Sequence, residues 1–334
     1  MKKVLVVGAG GFAGGFIVEE GLKRGFDVWA GLRASTSRVY LTDDKIKFVE
    51  FDFENPESII STLMESMPGE EKWDWIIYNL GATKAISFAD FSKINYEYLK
   101  IFVQALKSAG KMPEKFLYMS SLSVMGPRHE KDAGRFRETD IPQPNTKYGA
   151  SKLKAEMLLQ MENVPYIIFR PTGIYGPRDK DYFLMLKTIS NGFDFSAGYR
   201  RQLLTFIYVE DLARAIYDAL QKAPVGNVYL ISEDRAYSQK EFRKLAGMIL
   251  GKKGVISLPL PLWVVKAVSS VAEKWGVARM KPSTLNRDKF NIMKQRNWDV
   301  DVSKAKNDFG FNPQVSLNEG IKKAVEWYRN QNWL

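Results

Sequence analysis

The chain contains no cysteine and a single histidine, His129. The first absence excludes a disulfide framework, a cysteine-ligated zinc and a thiol nucleophile. The second excludes a multi-histidine metal site and argues against a Ser-His-Asp triad. No metal is expected. Long apolar runs are lacking too. Val4-Leu-Val-Val stops at a glycine cluster after four residues, which suits a short buried strand and a turn better than a signal peptide. The most apolar later stretch, residues 255–272, is broken by Pro259, Pro261 and Lys266, and falls short of the roughly 20 residues needed to span a bilayer. A soluble, cytoplasmic protein is the expectation. The sequence shows no internal repeat, no linker rich in Ser, Gly or Pro, and no helix-turn-helix, zinc-finger or aromatic-basic motif. No nucleic-acid partner is therefore expected.

What is present is ordinary globular composition: 334 residues, 45% hydrophobic and 26% charged, with 25 Gly and 14 Pro. The formal charge is +11, and residues 251–334 carry fifteen Lys/Arg against seven Asp/Glu. Most of the excess thus lies in the last quarter. It reads first as a solvated basic surface, and second as attraction to an anionic membrane surface or a phosphorylated substrate.

Strand-length apolar runs at 3–7, 27–32, 45–51, 73–78, 115–119, 165–169 and 227–231 alternate with helical patterns at 12–24, 58–67, 94–109 and 147–161. Several runs lack polar alternation, as strands covered on both faces do. This rhythm predicts an α/β fold with a Rossmann-type, doubly wound parallel sheet. After residue 169 the pattern loosens, with helices at 179–190, 209–221, 238–250 and 317–330. Residues 1–170, with 204–232 returning, form the expected nucleotide-binding domain. Residues 171–203 and 233–334 form a smaller, mostly helical substrate domain packed directly on it.

Gly8-Ala-Gly10-Gly11-Phe12-Ala13-Gly14 joins the first strand to the first helix. Glycines there permit a tight turn and close approach to a pyrophosphate, which the helix N-terminus attracts. A dinucleotide site of this kind selects NAD with a carboxylate after the second strand. Here Arg33 follows instead, with Arg38 nearby. A guanidinium pairs with a 2′-phosphate, so NADP(H) is favoured over NAD(H), which stays open. Asp52, followed by Phe53, is a candidate acceptor for the adenine amino group.

Tyr148-Gly-Ala-Ser-Lys152 opens a helix, and the i, i+4 spacing puts phenol and ammonium on one face with Cβ atoms about 6 Å apart. An ammonium there lowers a phenol's pKa from about 10, making Tyr148 an acid/base for an alcohol/carbonyl pair. Upstream, Ser120-Ser121-Leu-Ser123-Val-Met-Gly126 puts hydroxyls at a strand's carboxyl end, where ligands bind in such sheets.

The glycine turn, the serine segment, Tyr148-Gly-Ala-Ser-Lys152 and Arg170-Pro-Thr-Gly-Ile-Tyr-Gly-Pro177 occur in the order found in the extended short-chain dehydrogenase/reductases. The sequence resembles this NAD-dependent epimerase/dehydratase family over nearly its whole length. The resemblance implies that Ser121 hydrogen-bonds the reacting oxygen, that Tyr148 moves the proton, and that Lys152 holds the nicotinamide ribose while tuning the phenol. Asn95 matches a helix asparagine near the active site, with a capping or packing role as its alternative. Leu80-Gly81-Ala82 would lie along the cofactor, with Ser120 beside it, and Pro171, Gly173 and Ile174 would border the nicotinamide. Ser123 and Thr172 are the nearest substrate candidates. The family also implies a homodimer through the helices at 94–109 and 147–161.

The departures matter. Members acting on nucleotide sugars often carry Asn where this chain has Gly173, and an arginine and aspartate where it has Leu203-Leu-Thr-Phe206. Arg200 and Arg201 are the candidate substitutes. The wording around 170–177 and 258–275 looks more like the branch of 3β-hydroxysteroid dehydrogenases and dihydroflavonol reductases. The apolar segment at 258–275 reads first as a core helix of the small domain, with pocket lining or membrane contact as alternatives.

The leading expectation is an NAD(P)-dependent oxidoreductase that interconverts a secondary alcohol and a ketone on a small or lipophilic molecule. The second is a nucleotide-sugar epimerase or dehydratase with tightly held NAD; the dehydratase form is disfavoured because Leu122-Ser123 supplies no carboxylate. The third is a non-catalytic cofactor sensor or scaffold. Arg128 and His129 read as exposed loop residues, with substrate contact as the alternative.

Overall fold

The computed structural model describes residues 1–127, 134–280, 283 and 285–334. Its strands are β1 (Lys3–Val7), β2 (Asp27–Leu32), β3 (Lys47–Glu50), β4 (Trp75–Tyr78), β5 (Lys115–Met119), β6 (Tyr166–Pro171), β7 (Gly173–Tyr175), β8 (Phe193–Ala197), β9 (Leu203–Tyr208), β10 (Asn227–Ile231), β11 (Ala236–Ser238) and β12 (Ile256–Leu260). The helices are α1 (Phe12–Lys23), α2 (Pro56–Ser66), α3 (Phe88–Ser92), α4 (Tyr98–Ser108), α5 (Lys147–Met161) and α6 (Asp181–Ser190). They continue with α7 (Val209–Lys222), α8 (Gln239–Ile249), α9 (Leu262–Ala278), α10 (Arg287–Met293), α11 (Ser303–Phe309) and α12 (Leu317–Asn330).

Seven strands form a parallel sheet in the order β10-β6-β5-β4-β1-β2-β3. Successive side chains of a strand point to opposite faces, and β1 shows the consequence. Val4 and Val6 enter a core shared with α1, α7 and α11, while Leu5 and Val7 enter one shared with α2, α4 and α5. Burial on both faces is why the strands read as continuous apolar runs. The chain leaves β1 for β2 on one side and returns to β4 on the other. A crevice therefore opens at the carboxyl ends of β1 and β4.

A third core is built by β7, β9, α8 and α12 around Phe206, Tyr208, Phe242 and Tyr328. It meets the main sheet through Asp211 of α7. This buried carboxylate accepts the backbone N–H groups of Gln314 (2.9 Å) and Val315 (2.8 Å), just before α12, and also binds Arg214.

Two expectations need correction. The helix predicted over 94–109 forms but begins earlier, at Phe88, and contains a π-helical turn, Lys93–Glu97, between α3 and α4. The apolar segment after 255 is not a core helix. It forms β12, paired with β8, and then α9, in which only Val265 and Ser269 are buried. Among the described residues no helix is long and apolar enough to cross a membrane.

Replacing Asp211 with alanine strands the buried Val315 N–H and the part-buried Gln314 N–H. The expected cost is about 2–3 kcal/mol, read as a lower urea midpoint with an unchanged slope.

Candidate active site

The glycine turn is shaped by its neighbours. Gly8 ends β1 at φ +85°, and a Cβ on it would lie 2.7 Å from the backbone nitrogen of Leu80. A Cβ on Gly14 would fall 2.3 Å from the Gly8 carbonyl oxygen, and one on Gly10 would fall 2.3 Å from Cγ2 of Thr36. Side chains at these positions would push α1 off β1 and fill the crevice. Gly11 then caps α1 without any side-chain acceptor, so the first N–H groups of the helix, from Phe12 and Ala13 onward, are left for an anion. This cradle fits a dinucleotide pyrophosphate.

Arg33 directly follows β2. It is exposed, and its guanidinium makes no ion pair among the described residues. Arg38 is committed elsewhere: it pairs with Glu50 of β3 at 2.5 Å and stacks over Phe48. Asp52 is exposed and accepts from the Glu54 N–H, so it shapes the turn before α2. The Phe53 ring is buried against Phe51, Tyr98 and Phe102, which leaves only its backbone to a ligand.

The chemistry-bearing groups gather on α5. Thr146 caps this helix through the Gly149 N–H (2.9 Å), and Asp288 of α10 accepts the Tyr148 N–H (3.1 Å). Gly149 is required by a close approach: its Cβ would lie 2.4 Å from the Ser123 carbonyl oxygen. The serine turn thus sits directly on the helix. The Ser121 hydroxyl accepts from the Ser123 N–H at 3.1 Å and lies near enough to the Tyr148 phenol to favour its ionised form.

One turn further, Lys152 is buried. Its Nζ donates to the Met119 carbonyl oxygen (2.8 Å), lies 4.8 Å from the centre of the Tyr118 ring, and faces Gly81, where a Cβ would come within 2.8 Å of it. Asn95, at the middle of the π-turn, fixes the loop carrying Gly81. Its Oδ1 accepts from the Ala82 N–H (2.8 Å), and its Nδ2 donates to the Ala82 carbonyl (3.1 Å) and to Ser151 Oγ (2.9 Å). π-turns are frequent at functional sites, and this one aims Asn95 at α5.

Beneath Lys152 lies a group that the sequence reading missed. Glu156, one further turn along α5, is buried and accepts Arg170 Nη2 at 2.6 Å, Arg170 Nε at 3.1 Å and the hydroxyl of Ser120. The Ser120 side chain therefore points into this pair. The available signal was the spacing of Tyr148, Lys152 and Glu156, each four residues apart.

Across the crevice, Pro171 is buried, while Gly173 and Ile174 are partly exposed. Thr172 is buried, and its hydroxyl has no partner among the described residues. A Cβ on Gly173 would fall 2.0 Å from the phenolic oxygen of Tyr182. Tyr182 is held there by Asp179, which accepts the N–H groups of Asp181 (3.1 Å) and Tyr182 (2.7 Å). Arg200 and Arg201 are exposed before β9, and Arg201 contributes to the field at Glu241 of α8. Arg128 and His129 lie outside the described residues.

The phenol tuning expected from the sequence does not appear in the chain itself. Burial pushes the Tyr148 phenol up to about 12, with the Ser121 hydroxyl acting in the opposite sense. Burial also pulls the Lys152 ammonium down to about 7, and Glu156 only partly offsets this. A base with a weakened charge is a poor stabiliser of phenolate.

In 15N-lysine NMR of the protein without cofactor, one ammonium is expected to lose its proton near pH 7, while exposed lysines stay charged to about pH 10. The signal should be absent from Lys152→Met; persistence of that titration would reassign it. Folding binds this proton more weakly than the unfolded chain does, so the Lys152 contribution to stability rises with pH from about 7 toward the ordinary lysine value.

Comparison with known proteins supplies the lineage. The ceramide reductase of Caulobacter vibrioides (strain NA1000 / CB15N) is 24% identical over 334 residues, covering 99% of this chain and 96% of that protein. The dTDP-D-glucose 4,6-dehydratase of Mus musculus is 27% identical over 277 residues, covering 79% and 70% respectively. Among solved structures, the dTDP-glucose 4,6-dehydratase of Bacillus anthracis in complex with NAD superimposes with a TM-score of 0.77 at 20% identity, covering 100% of this chain and 98% of that one. The fold is shared with it. Residues 4–232 match the NAD dependent epimerase/dehydratase family, and over this span run the glycine cradle, the serine turn and the Tyr148–Lys152 helix: the chain belongs to that family and is one of its enzymes.

Proposed function

We propose that this protein is an NADP(H)-dependent oxidoreductase that interconverts a ketone and a secondary alcohol on a lipophilic molecule, with Tyr148 as the acid/base. The observation that carries the reading is the cluster itself: Ser121 beside the Tyr148 phenol at the start of α5, and Lys152 one turn away facing Gly81 in the crevice of the glycine cradle. We assign the cofactor to residues 1–170 with 204–232, and the substrate to residues 171–203 and 233–334.

The bound nicotinamide supplies the hydride in reduction or accepts it in oxidation. The chain's own residues do the rest. Tyr148 Oη holds the proton that passes to the carbonyl oxygen as hydride reaches the carbon; in the reverse direction the phenol oxygen receives it. A phenol held near 12 is protonated at neutral pH, which suits reduction. Ser121 binds the reacting oxygen and orients it toward the phenol. Lys152 hydrogen-bonds the ribose beside Gly81, and Asn95 keeps the Gly81–Ala82 loop in place. Arg33 pairs with the 2′-phosphate of the cofactor, a contact that Arg38 is too committed to Glu50 to make.

Two observations favour a lipophilic substrate over a nucleotide sugar. The Tyr182 phenol occupies the space over Gly173 where many nucleotide-sugar enzymes place an asparagine amide. A relative matched along nearly its whole length is named a ceramide reductase, which supports a lipophilic substrate. The second reading, a nucleotide-sugar epimerase, draws on the dTDP-glucose dehydratases and the UDP-glucose 4-epimerase of Vibrio cholerae among the relatives.

Tyr148→Phe is expected to bind NADPH normally and to lose at least about a hundredfold in kcat, the scale of a positioned acid/base. Stopped-flow binding alongside turnover measures both, and retained turnover would remove Tyr148 from its role. Arg33→Ala should weaken NADPH binding by about tenfold to a hundredfold, the range for a charge-assisted pair, and leave NADH binding nearly unchanged in fluorescence titration. Equal losses for both cofactors would contradict the 2′-phosphate assignment.

A further inference from the structure

The substrate half of the molecule carries an apolar surface that its own core does not use. On α9, Trp263 is 74% exposed, Trp275 63%, Val271 60% and Val268 51%. Spacings of three and four residues place Val268, Val271 and Trp275 on one helix face. Immediately before it, the register of β8 with β12 sets Phe193 beside Ile256 and Phe195 beside Leu258. These four residues are all exposed, and alternation along the strands puts them on a single face of the two-stranded sheet. Large apolar surfaces of this kind on a soluble domain mark a contact.

The charges around it identify the contact. Lys252 and Lys253 before β12, Lys266 and Lys274 on α9 and Arg279 at its C-terminal end are exposed, and Arg279 lies over the Trp275 ring at 4.5 Å. The one acid on α9, Glu273, is neutralised from within the protein by Lys147 and Arg287. A second copy of the same chain would bring like charges together here. An anionic bilayer meets every feature: tryptophan rings at headgroup depth, valines and phenylalanines against the acyl boundary, and long basic side chains reaching the lipid phosphates.

We infer that α9 and the β8–β12 strand pair form a docking surface for the face of a phospholipid bilayer bearing anionic headgroups. The helix is seventeen residues long, with lysines within it, so it lies on the membrane rather than spanning it. Docking there also lies beside the start of α5. Glu273 and Val277 of α9 line a recess together with Lys147, Phe91 and Asp288, and Asp288 holds the Tyr148 N–H. The inference does not rest on the reductase reading, because it concerns the surface and not the chemistry.

The test is co-sedimentation of the full chain with vesicles of phosphatidylcholine alone or mixed with phosphatidylglycerol. Binding is expected for the mixed vesicles, weaker binding for the neutral ones, and weakening with salt. Trp263→Ser with Trp275→Ser should lower partitioning by about tenfold or more, and Lys266→Glu with Lys274→Glu by about fivefold or more per residue. NADPH binding and the melting temperature should hold in both variants, since these side chains face solvent. No partitioning onto either vesicle, or partitioning that neither variant weakens, would overturn the inference. So would binding that ignores lipid charge. Concentration-dependent dimerisation that the tryptophan variant abolishes would assign the surface to a second copy instead. Loss of turnover in Tyr148→Phe bears only on the chemistry and leaves this result standing.

Discussion

The pairing of Glu156 with Arg170 governs how the rest of the site is arranged. Both side chains are buried, and each charge is tolerated only because the other meets it with several hydrogen bonds. Arg170 belongs to β6 and Glu156 to α5, so the pair fixes the helix on the sheet at the strands' carboxyl end. Ser120, on the loop after β5, joins the same carboxylate. Helix, two strand ends and the serine turn are thereby held in one register before any ligand is considered.

This arrangement explains the state of Lys152. Its ammonium is as deeply buried as the pair below it, but the nearest carboxylate is already taken up by Arg170. What remains is one backbone carbonyl and the face of the Tyr118 ring. That is too little to hold a full charge against desolvation, and the proton comes off near neutrality. Spacing alone suggested an ammonium that tunes the phenol. The same spacing, continued one turn, delivers a carboxylate whose charge is spent elsewhere. A cofactor ribose hydroxyl facing Gly81 would add the partner that the chain itself lacks, which couples the charge on Lys152 to occupancy of the cradle.

How much was legible follows from how local each signal was. The glycine turn and the bounds of β1, β2, β5, β10 and α5 were readable because their residues obey short-range rules: two-sided burial, a turn that excludes Cβ, a threonine cap. The π-turn at Lys93–Glu97 was not, because it is set by Asn95 reaching Ala82 and Ser151, partners distant in sequence. Glu156 was overlooked because a carboxylate at helical spacing ordinarily belongs to a solvated face, and only Arg170 makes it internal. Phe53 was placed beside the cofactor from its position after β3, yet three aromatic neighbours draw its ring into the core.

The least legible part is the one that we assign to the substrate. Gly173 could be seen to differ from the nucleotide-sugar pattern, but not why. Tyr182 lies nine residues on, in another element, and its placement depends on Asp179 capping α6 and on Tyr328 of α12 holding the carbonyls of Gly176 and Asp179 at 2.9 Å. A glycine and a tyrosine are here one structural feature divided between two segments: the phenol fits only because the Cβ is missing, and restoring a side chain at 173 would expel it. The segment after 255 misled for a related reason. Its hydrophobicity fitted a core, but burial is decided by what packs on top, and the third core is already closed by α8 and α12. Apolar residues left outside a completed core keep their cost in water until another surface covers them.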